Sequence, residues 1–288
     1  MRKLLKGFLW LVVILVVAVG VVAFLGSQRP NKVYDVAVTV PDIPVDSTLL
    51  ARGQHISHIW GCRDCHGSNL GGQDIIPPGN PVAYVVAPNL TGGKGGQGAV
   101  LTDEDWVRAI RYGLHTDGKP LYIMPSKDWT AMSDYDVMAV IRYMQTVEPV
   151  DNETYGSYLG PLGYVLSGIG ALQMWEAEHI DFSLPPNNDI VKAPTAEYGA
   201  YIANNCMGCH KPNLKGGKHN DPNFPPVPDI TMTGEFGSWT KDQFLTALKT
   251  GVRPDGRQMD PMHMPWRAFS HMDEIEMDAI YAYLRTQE

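Results

Sequence analysis

The sequence predicts an all-α fold: two tandem helical domains behind an N-terminal transmembrane helix. Three observations predict it. An uninterrupted apolar run of 18 residues, Phe8 to Leu25, follows Arg2, Lys3 and Lys6. Two sets of capped, periodic helical stretches come next, each set broken by loops rich in glycine and proline. A short cysteine–histidine motif appears once in each set, starting at Cys62 and again at Cys206.

The apolar run, as a helix, is roughly 27 Å long against a bilayer core of about 30 Å. A cleaved leader has a shorter apolar region, about 7–15 residues, ending in small residues. This run ends Ala23-Phe24-Leu25-Gly26-Ser27. Residues 1–27 are therefore expected to be a retained anchor, with cleavage near Ser27 as the alternative. Cations flank both ends, so the positive-inside rule orients the helix only weakly. Residues 28–46, punctuated by Pro30, Pro41 and Pro44, read as a tether.

The first unit spans residues 47–152. Leu49 to Ile59 has a helical pattern and leads into Cys62-Arg63-Asp64-Cys65-His66. Loops follow: Asn69-Leu70-Gly71-Gly72, Pro77-Pro78-Gly79 and Pro88-Asn89-Leu90-Thr91. Such loops do not pack a core alone, but they can wrap a flat apolar ligand. Thr102 caps a helix to Tyr112, with acids in its first turn and Gly113 just beyond its end. Ser133 caps another, which carries Val137, Ile141 and Met144 on one face and is stopped by Pro149. Residues 153–194 are expected to be an interdomain linker and packing segment. Its stretch from Tyr158 to Trp175 is apolar and glycine-rich, a poor isolated helix and a candidate interface or membrane-surface segment.

The second unit, residues 195–288, repeats the first. Thr195 caps a helix to Ala203 that leads into Cys206-Met207-Gly208-Cys209-His210. Asn213-Leu214-Lys215-Gly216-Gly217 and Pro228-Asp229-Ile230-Thr231 mirror the earlier loops. Thr240 and Gln243 form a capping box, and Asp273 begins the last helix. About 100 residues per unit is an ordinary small-domain size.

Each motif reads C-x-x-C-H, the attachment signal of a c-type haem. Cysteines at that spacing reach the two vinyl groups as thioethers, and the adjacent histidine lies under the iron. All four cysteines of the chain fall within the two motifs. A redox dithiol gives the following histidine no reason to recur, and a zinc site built from both motifs leaves both histidines idle. Two covalently bound c-type haems are expected, held by Cys62, Cys65, Cys206 and Cys209, with His66 and His210 as proximal ligands. A six-coordinate electron-transfer haem takes a second ligand, and methionine is the choice that raises its potential. Met124 precedes Pro125, and Pro125 stands seven residues before Met132, as Pro265 does before Met272. That register sets Met264 opposite Met124 as the distal ligands. Met259, Met262 and His263 crowd the second position, with Met262 the main rival.

The formal net charge is −8. The first 32 residues hold five of the 23 cations and no acid, which leaves 18 basic against 31 acidic residues beyond them. This excludes a basic nucleic-acid-binding face. Lys211, Lys215 and Lys218 lie beside the second motif and are candidates for steering an acidic partner.

These residues resemble class I cytochrome c, twice over. The resemblance covers roughly Ser47 to Val150 and Pro194 to Glu288, through the first helix with Gly53 or Gly199, the C-x-x-C-H, the Pro-Asn-Leu-Thr or Pro-Asp-Ile-Thr loop, the Met-Pro loop and the last helix with Tyr143 or Tyr283. It implies a close crossing of the first and last helices, Gly53 near Tyr143 and Gly199 near Tyr283. Segments such as Leu101-Thr102-Asp103-Glu104-Asp105-Trp106 are similar to those in cytochrome c subunits of membrane-bound alcohol and gluconate dehydrogenases, which usually carry three haems. The function expected is a single-electron relay at the inner membrane. The haem domains face the periplasm, because covalent haem attachment is extracytoplasmic in bacteria. Expected partners are a membrane dehydrogenase or quinol-oxidising complex as donor and an oxidase or soluble cytochrome as acceptor. The alternatives are a dihaem enzyme of peroxidase or thiosulfate-oxidising type, with an exchangeable ligand at one haem, and a permanent haem subunit of a larger oxidoreductase.

Overall fold

A computed structural model describes residues 2–183, 190–219 and 224–288. Met1 of the expected anchor and residues 184–189 of the expected linker lie outside these. Helix α1 (Arg2–Gln28) is exposed along nearly its whole length and is long and apolar enough to cross a membrane.

The first half begins with α2 (Ser47–Ile59), whose N-cap Asp46 accepts a hydrogen bond from the Leu49 amide at 2.7 Å. Trp60 and Gly61 then break the chain before the motif helix α3 (Cys62–His66), with Gly61 in the left-handed region at φ 75°. Strands β1 (Gln73–Ile76) and β2 (Ala83–Ala87) form an antiparallel pair. Next come α4 (Asp103–Tyr112), α5 (Ser126–Trp129) and α6 (Asp134–Met144), with the predicted caps at Thr102 and Ser133 in place. Strand β3 (Tyr158–Leu159) adds to β2, and α7 (Pro161–Gly168) follows. The second half contains α8 (Ala196–His210), α9 (Lys241–Thr250), α10 (Trp266–Phe269) and α11 (Glu274–Leu284).

The fold is mostly helical rather than purely so. The small sheet arises where Ala83-Tyr84-Val85-Val86, a β-favouring run behind a Pro-Pro-Gly turn, pairs on both edges. A second difference is α8, which continues through Cys206 to His210 instead of ending at Ala203. It has no counterpart to the left-handed glycine before the first motif, so nothing interrupts its hydrogen bonds.

The two halves share one helix crossing. A Cβ on Gly53 would collide with the Ala139 carbonyl and stand 2.7 Å from the Tyr143 Cβ. A Cβ on Gly199 would collide with the Ala279 carbonyl and stand 2.8 Å from the Tyr283 Cβ. Only glycine lets α2 meet α6, and α8 meet α11, backbone to backbone.

One apolar cluster runs through both halves, joining Ile56, Trp106 and Met144 to Tyr198, Ile202 and Ile280. At its centre is a buried polar network. Arg52 donates to both Asp136 oxygens at 2.7 and 2.8 Å and to Glu276 at 3.1 Å. His55 Nε2 lies 2.7 Å from Glu276, and the Tyr201 hydroxyl donates to Asp136 at 2.6 Å. His55 thus pairs with the opposite half's carboxylate, as Tyr201 does in return. Asp136 and Glu276 each stand four residues after the matched methionines Met132 and Met272.

The segment before residue 184 packs on the first half and on α1. Strand β3 extends the sheet, and α7 crosses α1 at Gly26. The expected tether has no regular structure after Asn31, yet it lies along the body. The Tyr34 amide donates to the Gly118 carbonyl at 3.0 Å, Val36 is buried, and Arg29 pairs with Glu178.

Candidate haem sites

Both motifs present their histidines in the same way. His66 is buried, and its Nδ1 lies 2.8 Å from the Pro88 carbonyl. His210 is buried, and its Nδ1 lies 2.9 Å from the Pro228 carbonyl. A backbone acceptor on Nδ1 fixes the proton there and leaves Nε2 as the metal-binding nitrogen. The two prolines open the matched Pro-Asn-Leu-Thr and Pro-Asp-Ile-Thr loops. Asn89 and Asp229 brace those loops, accepting from the Thr91 amide at 2.9 Å and the Thr231 amide at 2.7 Å. The loops' role in holding the imidazoles was not legible from their sequence.

None of the four cysteines forms a disulfide. Burial, reinforced by the second cysteine of each motif, pushes the Cys62 and Cys206 thiols up to about 12. Reactive redox dithiols lie in the opposite direction, with depressed values. Neither thiol has the lowered value that marks a reactive dithiol.

The Met-Pro loops also match. Pro125 has φ −79° and ψ 46°, and Pro265 has φ −77° and ψ 52°. The next amide donates back to the methionine carbonyl in each, Ser126 to Met124 at 2.8 Å and Trp266 to Met264 at 2.7 Å. Met124 and Met264 both pack against the shared apolar cluster.

In the second half a cavity of about 560 Å³ is walled by Cys206, Cys209, His210 and Met264, with Phe236, Leu248 and Ile280 among its apolar residues. Its size and lining fit a flat apolar group that carries a metal. Met259 and His263 also reach this wall, whereas Met262 is 76% exposed and lies off it. In the first half Cys62, Leu70, Leu90, Trp106 and Met124 belong to one apolar cluster. Trp106 Nε1 is buried there without an acceptor among the described residues, a donor available to a bound ligand.

The halves meet at their candidate sites. A Cβ on Gly208, inside the second motif, would strike the Asp128 carboxylate of α5, just beyond the Met124 loop. Conversely, His271, just after α10, packs against His58 of α2, close to the first motif, with ring centroids 4.2 Å apart and the planes tilted by 31°.

Comparisons with known proteins agree with this geometry. A family model described as Cytochrome c matches residues 196–288, so the second half is a cytochrome c domain, which implies covalently bound c-type haem. The chain is 25% identical over 233 residues to the cytochrome c subunit of the quinone alcohol dehydrogenase of Gluconobacter oxydans, covering 72% of this chain and 48% of that one. It is 25% identical over 261 residues to the fructose dehydrogenase cytochrome subunit of Gluconobacter japonicus, covering 82% and 52%. It is 26% identical over 272 residues to the gluconate 2-dehydrogenase cytochrome c subunit of Pantoea cypripedii, covering 85% and 61%. The chain thus spans about half the length of these relatives, and it is similar to cytochrome c subunits of dehydrogenases.

Proposed function

We propose that this chain is a dihaem c-type cytochrome, anchored in the inner membrane by α1, that relays single electrons on the periplasmic side. Residues 47–152 and 195–288 are its two tandem class I cytochrome c domains. Cys62 and Cys65 hold one haem, and Cys206 and Cys209 the other. His66 and His210 are the proximal ligands, and Met124 and Met264 the distal ones. The observation that carries this reading is the repetition of one local geometry, a motif histidine braced by a proline carbonyl and paired with a Met-Pro loop of fixed conformation.

Haem bound there supplies reversible one-electron exchange between Fe(III) and Fe(II). The protein's part is to hold both axial ligands fixed. Pro88 and Pro228 lock the imidazoles, and packed Met-Pro loops resist ligand exchange. Rigid ligation keeps reorganisation small. The close approach of Asp128 in α5 to Gly208 of the second motif supports transfer between the two sites within the chain.

The relatives' names support a donor of the dehydrogenase class, which the anchor of this chain would meet at the membrane, with this chain as the electron-transfer subunit rather than the catalytic one. A quinol-oxidising complex is the alternative donor, and an oxidase or soluble cytochrome is the acceptor. Optical redox titration of the purified chain tests the proposal. Two low-spin haems per chain, each with a methionine–iron charge-transfer band lost in Met124→Ala or Met264→Ala respectively, are expected. A high-spin or strongly negative haem in the unmodified protein would remove the relay reading.

A further inference from the structure

The apolar segment before Trp175 has a structural position that the relay does not use. From Thr154 to Trp175 the chain carries no charged residue. Within it, α7 has two unlike faces. One is small: Gly168 and Ser167 meet α1, and Gly163 meets the Val82 backbone. The other is aliphatic: Leu162, Val165, Leu166 and Ile169 recur at i, i+3, i+4 and i+7, the spacing of a single helix face. Leu162 is 46% exposed and Ile169 62% exposed.

The crossing with α1 is matched from both sides. A Cβ on Gly26 would collide with the Tyr164 carbonyl of α7, and a Cβ on Gly168 would collide with the Val22 carbonyl of α1. Ser167 Oγ donates to the Gly26 carbonyl at 3.1 Å. Close contact through small residues is how helices associate in lipid. Val22 lies three residues inside the end of the apolar run, roughly 4.5 Å along the helix axis. Surface-lying amphipathic helices sit about 5–10 Å into the headgroup–acyl boundary.

Lipid requires backbone carbonyls to be satisfied within the protein. Arg29, four residues past the apolar run, does this for the end of α7. Its Nη1 donates to the Ser167 carbonyl at 3.1 Å and the Leu172 carbonyl at 2.9 Å. Its charge is neutralised by Glu178 and its guanidinium lies over the Trp175 ring at 5.0 Å.

We infer that α7 is a second membrane element, lying in the outer headgroup–acyl boundary of the phospholipid bilayer beside α1 with its aliphatic face in lipid. This rests on α1 being a retained span. The two elements together hold the first half against the membrane instead of leaving it on a free tether. Uncharged residues on the exposed helix face, with Val21, Phe24 and Leu25 of the neighbouring α1 exposed as well, suit lipid as the occupant.

The test uses the full haem-loaded chain in vesicles of phosphatidylethanolamine and phosphatidylglycerol. Intact mass first establishes whether residues 1–27 remain. A bilayer-soluble diazirine photolabel, mapped by mass spectrometry, then reports lipid contact. Label on α1 and on Leu162, Val165, Leu166 and Ile169 is expected, with the α7 label lost in the Leu162→Glu/Ile169→Glu variant whose haem spectrum is unchanged. Label confined to α1 overturns the inference and leaves the anchor standing. A chain lacking residues 1–27, or an unlabelled α1, overturns both.

Discussion

Glu276 is fully buried, and its carboxylate is the point where the two halves exchange charge. Burial opposes its ionisation, but the His55 hydrogen bond and charge, the Asp273 amide and Lys192 hold it down at about 2. A depressed carboxylate stabilises the fold in its ionised form. That contribution is complete above its ordinary value of 4.5 and is lost as pH falls toward 2. Glu276→Gln should therefore cost roughly 3 kcal/mol at neutral pH, because Arg52, His55 and Lys192 keep their charge or polarity without it. Denaturant unfolding at pH 7 and pH 3 checks this, and the variant's deficit should shrink in acid. Asp128 behaves in the opposite sense. Burial first, then the Glu176 charge, push it up to about 6. Its ionisation adds negative charge beside the second motif, so the potential of that haem should fall as pH rises through about 6 and lose this dependence in Asp128→Asn. Spectroelectrochemistry between pH 5 and pH 8 reads both.

Helix crossings decide which glycines are replaceable. At Gly53 and Gly199 the obstacle to a Cβ is the backbone carbonyl of a partner helix, which cannot move without separating the pair. At Gly208 the obstacle is the carboxylate tip of Asp128, which can swing away. Gly53→Ala and Gly199→Ala should each destabilise by about 1–3 kcal/mol or more, and Gly208→Ala by clearly less. Thermal unfolding followed at the haem absorption ranks the three, and an equal loss at Gly208 would refute the distinction.

At the scale of the molecule, charge is arranged so that an acidic body carries a small basic group beside one site. Lys211, Lys215 and Lys218 are all exposed on the loop after the second motif. Replacing all three by glutamine should slow association with an acidic redox partner at low salt and leave the rate nearly unchanged at high salt. Stopped-flow reduction across ionic strength measures it. An unaltered low-salt rate would show that the docking face lies elsewhere.

Much of this protein is determined by local chemistry, and so was readable in the chain alone. Caps at Thr102, Ser133, Thr195, Thr240 and Asp273 act within a few residues of themselves, and the structure has each of them. The two C-x-x-C-H motifs and the apolar run are likewise contiguous signals. The matched Met-Pro dipeptides were visible because the two stretches of sequence could be set in one register. What only the tertiary structure decided depends on residues far apart in sequence. Arg52 with Glu276, His55 with Glu276 and Tyr201 with Asp136 are pairs that no spacing rule connects, since packing of the halves creates them. The exclusion of Met262 from the cavity wall, while Met264 and His263 line it, depends on how the 259–264 loop turns. The glycine crossing of α7 on α1 is of the same kind. A glycine in the sequence states only that a Cβ is absent, and the fold decides whose backbone fills the space.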